Sequence, residues 1–209
     1  MLKELRILQT AAGATFTVTA GIEVPASFDN DSAALQATQA GVAVCDRSHW
    51  GRIEVADADS LRFLHNQTTN EFQSLQPGEG CDAVFVTSTG RTIDLVTAYV
   101  TETSVLLLTS PWQQQKLIDW MDRYIFFADQ VQLADVTGKT AAFTLLGPES
   151  EAVLAKLGVA ALAGKPHANH QLINLAGVEA RVAVGSGLAI AGYTLMVKAD
   201  QAASLWQVL

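Results

Sequence analysis

Basic side chains are scarce in this chain: Lys and Arg total 13 against 21 Asp and Glu, a formal net charge of -8. Proteins that hold nucleic acid directly show a basic footprint, so no direct DNA or RNA binding is expected. Cysteine is nearly absent. Cys45 and Cys81 have no CxxC spacing and are too few for a disulfide scaffold. The expectation is that Cys45 is a core thiol and that Cys81 sits structurally near a loop edge. The four histidines, His49, His65, His167 and His170, form no HExxH. His167 and His170, in KPHANHQ, read as solvent-exposed loop residues, so no metal site is expected. No apolar run approaches the roughly 18 to 20 residues of a membrane helix. The N-terminus lacks a charged region followed by an unbroken apolar core, so neither a signal peptide nor a membrane partner is expected, and a cytoplasmic location is. Neither GxGxxG nor GxxxxGK[ST] follows a strand, and GSG at 185–187 lacks the third glycine, which excludes the common phosphate-cradling loops.

What remains is an apolar, lightly charged chain. Of its 209 residues 49% are hydrophobic and 16% charged, which is too apolar for disorder and enough for one large domain or two small ones. TFTVT at 15–19 alternates as a strand does, and residues 25–31 are turn-rich. Asp31 or Ser32 caps a short helix that Gly41 ends. VAVCD and GRIEVA read as strands. Asp57 and Asp59 are N-cap candidates for SLRFLHNQ, with Leu61, Leu64 and His65 on one side. DAVFVTS and RTIDLVTAYV form a hairpin around TG, and VLLLTS adds a third strand.

Pro111 is expected as the first residue of a helix in which Leu117, Trp120, Met121 and Tyr124 form a core stripe through residue 127. QVQLADVT, AAFTLLG, a helix over 148–157, a hairpin turning at Ala176-Gly177, the strand YTLMVKA and a helix opened by Asp200 complete the chain. Strands and helices in this order give an α+β fold with antiparallel sheet. The linear division is 1–137 and 138–209. The last helix runs to Leu209 without a polar tail, consistent either with a docked terminal helix or with a chain cut inside a larger architecture.

Asp46, Glu71, Asp82 and Asp94 are carboxylates set between apolar segments. Glu71 stands out, because Thr69-Asn70-Glu71-Phe72 lies at a helix-to-loop junction. A carboxylate there can accept paired N–H donors from a flat heterocycle, with Asn70 donating or accepting beside it. The same three residues can equally cap and close local structure, and the residues alone leave both readings open.

In order and spacing, Asp46, Ser48, Gly51 and Ile53, then Arg62-Phe63-Leu64, Thr69-Asn70-Glu71, Leu75, Pro77-Gly78, Gly90 and LLGPES at 145–150 form a pattern. It resembles the folate-binding superfamily of the glycine-cleavage aminomethyltransferase, the T-protein. Within that superfamily it is most similar to YgfZ-type proteins linked to iron–sulfur cluster maintenance and tRNA modification. The resemblance covers about residues 35–209. It implies a T-protein/YgfZ-like folate-binding fold with ferredoxin-like subdomains, lacking the C-terminal β domain and stopping before the K-G-C-Y-x-G-Q segment of the YgfZ type.

The resemblance also implies tetrahydrofolate or a derivative as cofactor, contacted by Thr69, Asn70, Glu71, Asp82 and Arg91, with Arg47 a further candidate for the glutamate tail. Glu71 takes the position of the family's pterin-contacting aspartate, one methylene longer. The family tyrosine falls near Asp82, and the aspartate pair after the glycine turn becomes Asp94-Leu95. No carboxylate lies between Val184 and Lys198, where the transferase carries a second acid. These departures point away from the classical glycine-cleavage enzyme. The implied function is folate binding in support of iron–sulfur enzymes. An aminomethyltransferase-like enzyme with Glu71 as its acid and a non-catalytic scaffold are the alternatives. The oligomeric state is left open.

Overall fold

The computed structural model describes residues 2–19 and 21–209. The elements begin with α1 (Lys3–Ala11), β1 (Thr15–Thr19), β2 (Ile22–Ser27), α2 (Asp31–Ala40) and β3 (Ala43–Asp46). Next come β4 (Gly51–Ala56), α3 (Ser60–Gln67), β5 (Gly80–Val86), β6 (Thr92–Val100), β7 (Ser104–Thr109), α4 (Gln113–Asp122) and β8 (Gln132–Asp135). The remainder is β9 (Thr140–Leu146), α5 (Ser150–Lys156), β10 (His170–Leu175), β11 (Val178–Val184), β12 (Gly192–Lys198) and α6 (Ala202–Val208). Every strand pair is antiparallel, and the fold is α+β.

Two compact units form. The first is Met1–His49 with Gly138–Pro166 and His170–Leu209, and the second is Trp50–Thr137 with His167–Asn169. The chain therefore passes between the units at 49/50, at 137/138 and on either side of 167–169. The cause is pairing. β3 lies antiparallel on β9, with Asp46 opposite Phe143, and Leu5 of α1 enters the same core as Phe143. Residues 1–49 thus fold with the later part of the chain.

The two units share a design. In the second, β4 leads through a tight turn into α3, the meander β5-β6-β7 follows, and the sheet order is β5-β6-β7-β4-β8. In the first, β9 leads into α5, the meander is β10-β11-β12, and the order is β10-β11-β12-β9-β3. Compared with a ferredoxin-like βαββ unit, each meander carries one extra strand. The strand-to-helix turns match: Ser60 N–H donates to Asp57 O at 3.1 Å and Ser150 N–H to Gly147 O at 3.1 Å. Asp57 and Gly147 both have positive φ, 84° and 125°. Sheet alternation builds each core on one face. Phe63, Leu64, Leu117 and Met121 from α3 and α4 pack on Ile53, Val55, Phe85 and Val96. In the other unit Leu154 and Leu205 pack on Phe143, Val182 and Leu195.

Several local expectations are corrected. α1 is a helix that the N-terminal sequence pattern does not announce. β2 continues through Pro25 to Ser27, a proline tolerated because, among the described residues, β2 pairs only with β1. Pro111 does not open α4: Trp112 intervenes with φ 65°, and the helix starts at Gln113. The helix stops at Asp122, so of the expected stripe Leu117 and Met121 are fully buried while Tyr124 is exposed. On α3 the buried residues are Ser60, Phe63 and Leu64.

The Ala176-Gly177 turn is as expected, with both residues at positive φ, 50° and 94°, the type I′ geometry of a two-residue hairpin. An alanine side chain is strained there, so Ala176→Asn is expected to raise stability by about 0.5–1 kcal/mol in a denaturant melt.

Candidate functional site

The segment after α3 covers the free edge of β5. Thr69 N–H donates to Val84 O at 3.1 Å, and Val84 N–H donates to Thr69 Oγ1 at 3.2 Å. Thr69 thus substitutes for a neighbouring strand. Asn70 continues the cover: its Nδ2 donates to Asp82 O at 2.7 Å, and its Oδ1 accepts from Glu71 N–H at 2.8 Å. Phe72, fully buried, pins the segment into the core beneath.

Glu71 turns its carboxylate back on its own loop. Oε1 accepts from Gln73 N–H at 2.5 Å, Oε2 accepts from Ser74 N–H at 3.1 Å, and Oε2 also accepts from the Ser74 hydroxyl. His65 Nδ1 stands 3.5 Å from Oε1. The Ser74 hydroxyl first, joined by the Ser74 and Gln73 N–H groups and the His65 charge, holds the Glu71 carboxyl below its usual range against the opposing effect of burial, which is second to the hydroxyl alone. Both oxygens are engaged in closing a turn.

Asp82 differs. On β5, Cys81, Ala83 and Phe85 face the core, so alternation sends Asp82 and Val84 to the opposite face. Across the ladder Asp82 pairs with Thr97 and Val84 with Leu95, and Leu95 is 56% exposed. Asp82 Oδ1 accepts from Thr97 Oγ1 at 2.7 Å and stands 3.0 Å from His167 Nε2. Both contacts converge on Oδ1, and among the described residues Oδ2 has no hydrogen-bond donor. The His167 contact first, then Thr97 and the His167 charge, hold the Asp82 carboxyl below its usual range despite partial burial. Asp82 in turn raises the His167 imidazole. Behind this face, burial, together with the Asp82 and Glu71 charges, pushes the Cys81 thiol up to about 11. A thiol raised this far is mostly protonated near neutral pH, which disfavours it as a nucleophile.

The structure thus brings Thr69, Asn70, Glu71 and Asp82 together around one end of β5. It places Arg91 elsewhere, exposed in the β5–β6 turn, where its N–H donates to Thr87 Oγ1 at 3.1 Å. Arg47 is buried and donates from Nη1 to Ser186 O at 2.6 Å, so it is not an open cleft arginine. Asp46 and Asp94 are buried supports: Asp94 Oδ2 accepts from Ser110 N–H at 3.0 Å.

His170 is not an exposed loop residue. It opens β10, is 4% exposed, and lies 2.8 Å from Arg181 Nη1 through Nδ1. Cys45, expected in the core, is exposed on β3. Two residues the sequence reading did not single out for this region are His167 at Asp82 and the fully buried Arg52. The Arg52 guanidinium donates to Thr137 O at 2.5 Å and to Trp50 O. The RIEV alternation gave a signal that Arg52 faces away from Ile53, but nothing local signals its burial.

Among the described residues, no group of three or more His, Cys, Asp or Glu could hold a metal ion, and no helix is long and apolar enough to cross a membrane. A cleft of about 850 Å³ lies in the first unit, between β2, α2, β3 and Trp206. Its lining includes Cys45 and Asp46 but none of Thr69, Asn70, Glu71, Asp82 and Arg91.

A two-unit α+β chain with paired meander sheets and a polar edge-cover on β5 defines the class. The chain belongs to the GCVT N-terminal domain family, whose model matches residues 6–209, within the aminomethyltransferase (T-protein) superfamily. It is 45% identical over 183 residues to a chloroplastic candidate transferase of Arabidopsis thaliana, covering 88% of this chain and 42% of that one. It is 30% identical over 213 residues to an aminomethyltransferase of Geobacillus kaustophilus, covering 100% of this chain and 58% of the relative. The chain spans about half the length of the curated relatives it matches.

Among solved structures, the glycine cleavage system aminomethyltransferase T of Bartonella henselae superposes with a TM-score of 0.80 at 18% identity, covering 100% of this chain and 57% of that chain. A chain in the heterotetrameric sarcosine oxidase of Corynebacterium sp. U-96 gives 0.60 at 15% identity, covering 92% and 93%. These two likenesses concern the fold.

Proposed function

We propose that this chain is a reduced-folate-binding member of its family, with the pterin on the open β5–β6 face. The observation that carries the reading is the open Oδ2 of Asp82 beside exposed Leu95 and the Asn70–Glu71 rim. A flat heterocycle with adjacent N–H donors matches a carboxylate beside an apolar platform. Asp82 is the anchoring acid, while Thr69, Asn70 and Glu71 shape the rim. Arg91 is kept as a candidate for the outer part of the ligand.

Because Glu71 is consumed by its own turn, it is not poised as the acid of an aminomethyl transfer. The reading therefore favours binding over classical transferase chemistry. In its finer form the protein is YgfZ-like and serves iron–sulfur enzymes, including those of tRNA modification, through protein contacts in the cytoplasm; the charge of -8 speaks against direct tRNA binding. The second reading, a tetrahydrofolate-dependent aminomethyltransferase, is favoured by the name of the Geobacillus relative.

Calorimetric titration with tetrahydrofolate under anaerobic conditions tests the site. Asp82→Asn is expected to weaken binding by about tenfold or more, the worth of a charge-assisted hydrogen bond, and Glu71→Gln by less than about threefold. The reverse ranking would move the anchor to Glu71. Turnover of an aminomethyl donor would favour the transferase.

A further inference from the structure

We infer that His167 is a positioning residue of this site, orienting the Asp82 carboxylate toward the ligand and competing, when protonated, for its charge. The inference rests on the folate-site reading above and assigns a role to a residue outside the β5 segment. His167 Nε2 and Thr97 Oγ1 approach the same oxygen, Oδ1, at 3.0 and 2.7 Å. Two contacts on one oxygen fix the carboxylate plane and leave Oδ2 on the other side.

The arm that carries His167 is fixed in turn. Ala168 is fully buried with φ 61°. Its carbonyl packs so tightly against Gly80 that a Cβ there would lie 2.9 Å from Ala168 O. A residue held this closely delivers its neighbour's imidazole to one place.

The Asp82 contact raises the affinity of His167 for its proton. The other titratable groups on β5 and the segments against it are Glu71, His65, Glu79 and Cys81. Glu71 is closed in its turn with His65 beside it, and Glu79 Oε2 accepts from Gln76 N–H at 2.9 Å. Cys81, at about 11, does not ionise near neutrality. On β6, Asp94 belongs to the opposite face. Among the described residues His167 is thus the imidazole in direct contact with Asp82, at 3.0 Å.

A ligand N–H edge on Oδ2 and a proton on His167 draw on the same negative charge. Each therefore weakens the other, by the reciprocity of linked equilibria. Ligand binding lowers the His167 pKa, and affinity rises as pH increases through it.

The test is anaerobic titration of tetrahydrofolate into the whole chain between pH 5.5 and 8.5. Affinity is expected to rise about three- to fivefold across this range, the scale of a half-exposed ion pair. His167→Gln keeps an N–H donor but no titration, so its profile is expected flat at the high-pH affinity. His167→Ala, which loses both the N–H donor and the titration, is expected flat with pH and weaker than His167→Gln throughout, and His65→Gln is expected to keep the wild-type slope. Binding with no pH dependence, or a slope that survives His167→Gln, overturns the role of His167 and leaves the folate site standing. No binding at any pH overturns both.

Discussion

Replacing Asp46 by alanine is expected to cost about 3 kcal/mol or more of stability, read as a shift of the denaturant midpoint followed by Trp206 fluorescence. The Asp46 side chain is fully buried. Its Oδ2 accepts from Arg6 Nη1 at 2.6 Å and from Gln9 Nε2 at 2.9 Å, and its Oδ1 from Ser48 N–H at 2.8 Å. Gln9 is fully buried as well. Removing the carboxylate leaves the nearly buried Arg6 guanidinium without its counter-charge and the buried Gln9 amide nitrogen without its acceptor, and such groups carry a large desolvation penalty.

Trp206 reports on this unit because it stacks on Phe28 with ring centroids 5.9 Å apart and meets Phe143 at 5.5 Å. The pH dependence has a definite sign. Burial alone would raise the Asp46 pKa, but hydrogen bonds from Gln9, Ser48 and Arg6, with the Arg6 charge, outweigh it and lower it. A group whose folded pKa is depressed contributes stability that is present above its unfolded value, about 3.9, and is lost as pH falls through the folded one. The wild type is therefore expected to lose stability along that acid limb, and the alanine variant to lose less.

Phe72→Ala is the second large effect, expected at about 3–5 kcal/mol. Phe72 is fully buried among Ile53, Phe63, Leu64 and Phe85, and it immediately follows Glu71. Truncation opens a cavity in the second unit and releases the anchor of the edge-cover. The loss is expected in denaturant unfolding followed at Trp120, which meets Phe85 edge-on at 5.7 Å. Hydrogen exchange should accelerate at the Thr69 and Val84 amides, whose bonds depend on that cover. A variant with full stability and unchanged exchange at Val84 would mean that Phe72 does not hold the segment.

The sequence made the sheets legible and the supports illegible. β5 and β6 could be drawn from DAVFVTS and RTIDLVTAYV because period-two alternation needs only neighbouring residues. The same alternation places Asp82 away from Ala83 and Phe85. By contrast α1 gains its purpose from Asp46, far along the chain, and no window of sequence contains that partner.

His167 and His170 lie in one polar stretch and read alike. One meets Asp82 on β5 and stays half-exposed, whereas the other opens β10 beside Arg181 and is buried. Glu71 was legible as a carboxylate at a loop. The closure of both its oxygens by Gln73 and Ser74 depends on a turn that composition does not specify. The division of the chain was hidden for the same reason, since the return of β3 to β9 is a pairing across about 100 residues of sequence.

The proposed site places a reduced folate on the open β5–β6 face, anchored by Asp82. Amide chemical-shift mapping of the whole chain with tetrahydrofolate, kept anaerobic, tests it most directly. The largest changes are expected at Asp82, Val84, Leu95 and Thr97, with smaller ones at Asn70 and His167, and their loss in Asp82→Asn. Shifts centred instead on the cleft between β2, α2 and β3, or no saturable shifts on β5 and β6, would contradict it.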